Sequence, residues 1–309
     1  MAGGTSSSKA GILNSRWLRG ALGAGVVLLV LFFFGRALLD QAPDMLRYHW
    51  ELDPTYLAVA FVLIIVRGPL GAYGWWAIMQ QLGCKLLWWR SVRILYYSAM
   101  AGYLPGGMWH AVGRVYLAEK EGAPRSVTTV SVVIESALNT LAASIVAPLS
   151  LIAWRDFPVW TAAIAFAILL GFVLQPQVPF RFLNWALVRV GRQPLDIKLS
   201  PRDMLRLLWP YVVNWLLFGI MSFALVAALY PKLPLEYAPV LAGVFTAAWL
   251  IGYLAIFVPQ GLVVREAIMI SFMTGFAGMP IPVATAAAVL SRLWSIFGVA
   301  IWGAISTRL

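Results

Sequence analysis

The sequence predicts an all-α polytopic membrane protein built as an inverted-topology repeat, with six spanning helices and two re-entrant helical hairpins. Three observations carry that expectation. Hydrophobic residues make up 61% of the 309-residue chain and charged residues only 11%, with a mean hydropathy of +0.83. Water-soluble domains carry roughly 25% charged residues. Apolar runs of about 20 residues, the length a helix needs to cross a ~30 Å hydrocarbon core, recur along the chain. Two further apolar runs are interrupted by proline and glycine at matching places in the two halves.

In chain order, residues 1–16 open with "MAGGTSSSKAG" and are expected to form a disordered cytoplasmic tail. The first repeat, 17–153, holds apolar runs at 17–39, 56–81 and 127–151 and the interrupted run 91–119. The second, 154–309, holds runs at 158–176, 208–230 and 282–306 and the interrupted run 238–277. The 17–39 run has the basic flank and apolar core of a secretory signal, but no small-x-small cleavage site follows and Arg36 interrupts the flank. A retained helix is therefore expected. Within the polar connection 177–207, "FRFLNWALVRVGR" (180–192) places Phe180, Leu183, Leu187 and Val190 on one helical face. That pattern suits an amphipathic helix on the inner leaflet or an ordinary connecting helix.

The net charge of +11 raises nucleic acid as a partner, and its distribution argues against it. With both termini cytoplasmic, Lys9, Arg16, Lys85, Arg90, Lys120, Arg125 and the cluster between Arg181 and Arg206 all fall on the inner side. The outer side receives Arg36, Arg47, Arg155 and Lys232, with acidic residues beside them. Such a bias is the signature of membrane orientation in a plasma (inner) membrane. It appears only if both interrupted runs return to the side they entered. Tryptophans at 88, 89, 154, 160, 185 and 209 fall near segment ends, where interfacial belts form. The lone Cys84 excludes an internal disulfide.

The two interruptions resemble each other. "YLPGGMWHAVGRVYLAEKEG" (103–122) and "FVPQGLVVREAIMISFMTG" (257–275) both read aromatic, aliphatic, Pro, x, Gly, then a helical run with an early arginine. Pro105 with Gly106 and Gly107, and Pro259 with Gly261, would reverse the chain and free backbone N–H groups. At membrane depth such groups must line a cavity or find protein partners. Inverted repeats with broken helices mark transporters that hold substrate near the midplane.

Six ionisable residues sit inside apolar runs: Arg67, Arg114, Arg265, Arg292, Glu135 and Glu266. Burying each costs several kcal/mol unless it is paired or solvated, so each marks a site or an internal pair. Asn139 lies one turn from Glu135, and His110 shares a face with Arg114. Glu135 with a nearby arginine, and Glu266 with Arg292 or Arg265, would make internal ion pairs. Four arginines against two glutamates leave a positive surplus that an anion, above all a phosphate, would neutralise.

These stretches, with "SVVIESALNTLAA" and "AAAVLSRLWSIFG", resemble the lysylphosphatidylglycerol synthase transmembrane (flippase-like) family over about 60–305. The resemblance implies an integral inner-membrane protein that moves a polar-headed lipid between leaflets. By position it carries Pro105, Gly106, Gly107, Arg114, Pro259, Gly261, Arg265, Glu266 and Arg292 into the family's motifs. The chain departs from many members at Trp109-His110, where they have an acid, and at Glu135-Ser136, where they have Asp-Arg. No soluble aminoacyl-transfer domain follows, so lysyl transfer is not expected.

The sequence thus leads to a flippase or scramblase for an anionic or phosphate-containing lipid. The alternatives are an ion-coupled carrier of small anions and an intramembrane lipid-phosphate transferase. No ATP-binding, metalloprotease or nucleophile-elbow motif is present, so neither an enzyme nor a cofactor is expected. Membrane lipids are the expected partners, with a lipid-modifying enzyme or a second copy as further candidates.

Overall fold

The computed structural model describes residues 42–102, 109–155, 157–175, 200–255, 263–275 and 277–308, together with 35, 36, 39, 181, 185, 188, 189 and 261. Among them there is no strand. Helix α1 spans Pro54–Gln81, α2 Trp88–Ala101, α3 Trp109–Lys120, α4 Arg125–Leu151 and α5 Val159–Leu174. Helix α6 spans Pro201–Leu229, α7 Tyr237–Leu254, α8 Val264–Gly275 and α9 Ile281–Ser306.

Local chemistry sets where the long helices begin. The Asp53 side chain accepts a bond from the Thr55 N–H at 2.8 Å, and Pro54 supplies a first-turn residue with no N–H to satisfy. At α6, Ser200 and Asp203 form a reciprocal capping box ahead of Pro201. Glycines in the left-handed region, Gly83 (φ 78°) and Gly122 (φ 85°), lie just beyond the ends of α1 and α3.

Among the described residues, five helices are long and apolar enough to cross a membrane by length and composition: α1, α4, α6, α7 and α9. Four of them match the expected runs 56–81, 127–151, 208–230 and 282–306. The expected 158–176 span is a 16-residue helix, α5, about 24 Å long and short of the hydrocarbon thickness. Helix α7, expected as one arm of an interrupted run, reaches spanning length by itself. The 1–16 tail, Pro105, Gly106, Gly107, Pro259, almost all of the 17–39 run and most of the 180–192 segment lie outside the described residues.

The most extensive helix contact joins α1 to α6. Around it, α2 lies on α3 and α3 on α4, just as α7 lies on α8 and α8 on α9. Helix α4 packs on α7, and α9 packs on α2. Lipid tails are as apolar as leucine, so close van der Waals packing must hold such helices together. Small residues permit it. A Cβ on Gly219 would lie 2.4 Å from Ala242, and one on Gly243 would lie 2.5 Å from Leu151. The outer faces are apolar, with Phe61 and Val62 of α1, Phe166 of α5 and Phe297 of α9 exposed. Tyr73, Trp76, Trp88 and Trp209 cluster at one end of the bundle, and Trp154, Phe157 and Phe272 at the other.

Candidate functional site

A cavity of about 270 Å³ opens where α1, α6 and α9 meet, with single residues from α2, α7 and α8 closing it. Among the described residues its wall carries Arg67, Arg265 and Arg292 and no carboxylate.

The α1 segment "RGPLG" (67–71) shapes one side. Pro69 has no N–H to offer the Ile65 carbonyl one turn back. The Trp302 indole Nε1–H of α9 donates to that carbonyl at 3.2 Å. The ring can approach because residue 68 is glycine: a Cβ there would sit 1.9 Å from Trp302. Tyr96 of α2 donates to the Gly68 carbonyl at 2.9 Å and stacks on Trp302 with ring centroids 5.9 Å apart. Together they form an aromatic wall fastened to α1.

Arg67 is held by α6. Its Nε–H bonds to Asn214 Oδ1 at 2.9 Å, and its guanidinium lies 4.8 Å from the centre of the Phe218 ring. Neither partner carries a charge, and no carboxylate bonds to Arg67 among the described residues.

The opposite side comes from the break before α8. Gly261 (φ 63°) and Val263 (φ 70°) are both left-handed; for the β-branched valine that is a strained conformation. A Cβ on Gly261 would strike the Gly252 backbone at 2.7 Å, so α7 and the turn touch directly. The Arg265 stem occupies the place where Gly252 lacks a side chain, as a Cβ there would lie 2.4 Å from Arg265 Cγ. Next along the helix, Glu266 accepts a bond from Arg292 Nη1 at 2.5 Å. Glu266 is 1% exposed, and its second oxygen, Oε2, has no hydrogen-bond partner.

The expected arginine set therefore divides. Arg67, Arg265 and Arg292 share the cavity, whereas Arg114 does not line it. Arg114 is buried behind α2, paired with Glu135 of α4, bonded through Nε to Ser98 Oγ at 3.2 Å and placed 5.3 Å from the Trp75 ring centre. Of the four arginines expected around one ligand, Arg114 is thus held by Ser98 and Trp75 beside Glu135, away from the cavity that the other three share. Glu135, Asn139 and His110 also lie off the cavity wall. Asn139 contributes its backbone carbonyl, which accepts from Trp215 Nε1 at 3.1 Å. Pro105, Gly106, Gly107 and Pro259 fall outside the described residues. The sequence reading missed Tyr96, Asn214, Trp249 and Trp302. Asn214 was within reach, as the sole amide side chain in the 208–230 apolar run.

Long apolar helices, a lipid-facing apolar surface and ion pairs kept in the interior define a multi-pass membrane protein. More narrowly, the chain belongs to the lysylphosphatidylglycerol synthase TM region family, whose model matches residues 16–303. That match extends the resemblance upstream through the 17–39 run. No curated protein and no solved structure matches the chain.

Proposed function

We propose that this protein moves an anionic or phosphate-containing lipid between membrane leaflets, with the head group passing through the arginine-lined cavity. The observation that carries the proposal is the convergence of Arg67, Arg265 and Arg292, from three helices of both halves, on one cavity whose wall has no carboxylate among the described residues. Guanidinium groups bind phosphate through paired hydrogen bonds. Asn214 fixes Arg67 through Nε, and Met221 Sδ accepts a weak bond from Nη1 at 3.8 Å, which leaves Nη2 as the nitrogen for an anion. The acyl tails remain in the bilayer, and no chemical bond is made or broken.

In this reading the two halves are an inverted repeat, 17–153 and 154–309, and α2–α3 and α7–α8 are re-entrant hairpins. The matching helix contacts support it. So do the lengths of α2 and α3, 14 and 12 residues, about 21 and 18 Å. Arg90 and Arg93, near the start of α2, both pair with Glu121 just past α3, at 2.7 and 2.5 Å. Gly243 of α7 and Phe272 of α8 both meet the C-terminal end of α4, at Leu151 and Trp154. Rocking of one half against the other would expose the cavity to each leaflet in turn. The basic loops support an orientation with both termini on the cytoplasmic side of the inner membrane.

The test is translocation of a fluorescent acidic phospholipid in proteoliposomes, with free phosphate uptake measured alongside. Wild-type protein moves the lipid, and Arg67→Ala slows it about 10- to 100-fold, the equivalent of one lost charge-assisted hydrogen bond. Equal rates in the two proteins and in empty vesicles would refute the proposal. Uptake of phosphate without lipid movement would replace it with a small-anion carrier.

A further inference from the structure

Two interior ion pairs join a short helix to the long helix after it, with opposite polarity. Arg114 of α3 pairs with Glu135 of α4, and Glu266 of α8 pairs with Arg292 of α9. They differ in one respect that matters for a ligand. Arg114 lies off the cavity wall, whereas Arg292 lines it. An anion in the cavity therefore meets a guanidinium already committed to a buried glutamate.

The surroundings of Glu266 are short of ionisable groups. Helix α8 packs on α7 and α9. The titratable residues of α7 are Tyr237 and Tyr253, and α9 carries Arg292 alone. On its own helix the adjoining cation is Arg265, whose stem lies against Gly252 and which lines the cavity, where an anion would engage it together with Arg292. The segment 256–260, "IFVPQ", has no ionisable residue. Arg292 bonds to Glu266 through Nη1, and Glu266 Oε2 lies buried with no hydrogen-bond partner. Glu266 has almost no access to solvent, so a carboxylate there is sustained by its cation. A buried carboxylate that loses its counter-charge takes up a proton instead.

We infer that Glu266 is the proton site of a proton-coupled transporter: an anionic head group that draws Arg292 into the cavity makes Glu266 bind a proton, and both cross together. This inference rests on the lipid-transport reading above and assigns its driving force. On one side of the membrane the phosphate takes Arg292, and a proton from water adds to Oε2. On the other side the lipid leaves, Arg292 returns to Glu266, and the proton goes back to water. One negative charge and one proton move per cycle, so transport is electroneutral and follows a pH gradient.

The test uses full-length protein in phosphatidylcholine vesicles carrying a trace of fluorescent phosphatidylglycerol, a phosphodiester that stays a monoanion on both sides, with and without a pH step of one unit. For one proton per lipid, that step biases the steady-state leaflet ratio by up to about tenfold towards the alkaline side. In Glu266→Gln the ratio does not respond to the step. A second measurement does not depend on any variant. Adding short-chain phosphatidylglycerol, which does not titrate near neutral pH, to weakly buffered, purified wild-type protein makes the medium more alkaline by one proton per bound lipid. Lipid movement in the wild type that ignores the gradient, with no proton uptake on binding, overturns proton coupling and leaves lipid transport standing. Absence of lipid movement overturns both.

Discussion

The Trp302 indole stands in for a backbone donor that Pro69 removes, and a double-mutant cycle measures that substitution. Trp302→Phe keeps an aromatic ring but withdraws the donor 3.2 Å from the Ile65 carbonyl. A buried acceptor left without a partner costs about 1–3 kcal/mol. The smaller ring adds a packing loss, for a total of about 2–4 kcal/mol. Pro69→Ala returns an N–H to position 69, one helical turn from the same carbonyl. In that background Trp302→Phe costs about 1 kcal/mol less, because the backbone satisfies the acceptor. Denaturant titration of the four proteins in one detergent gives the coupling energy. A coupling within about 0.3 kcal/mol of zero would refute the reasoning, since the indole would then act on Ile65 by packing alone.

Two further outcomes concern stability. Arg114→Ala takes from Glu135 its cation and from Ser98 and Trp75 the guanidinium they hold, and is expected to cost about 3–5 kcal/mol in the same titration; the exchange Arg114→Glu with Glu135→Arg recovers part of it. Gly261→Ala combines a left-handed backbone with a Cβ placed 2.7 Å from Gly252. It should cost about 2–5 kcal/mol, whereas Gly275→Ala, with nothing within 4 Å, serves as the control and costs much less.

The long spans are legible in the sequence because an apolar run of spanning length is recognised without knowing its neighbours. Their starts are less so. Helix α6 begins at Pro201 rather than 208, as the capping box of Ser200 and Asp203 nucleates it within polar sequence. Glu266 with Arg292 is legible as charge matching on facing runs. The fate of Arg114 is not. Whether it faces the cavity or the back of α2 depends on how α3 lies against Ser98 and Trp75, and periodicity carries no information on that. Arg67 likewise meets Asn214, 147 positions away, and only the packing of α1 on α6 brings them together. Trp302 and Tyr96 look in sequence like any core aromatics; what distinguishes them is a glycine notch and a proline on another helix.

The direct contact between Gly252 and Gly261 bears on how force travels through the protein. With no side chain between the two backbones and the Arg265 stem lodged in the same recess, there is no compliant layer to absorb a shift. A displacement of α7 therefore presses directly on the turn that roots α8 and on the stem of Arg265.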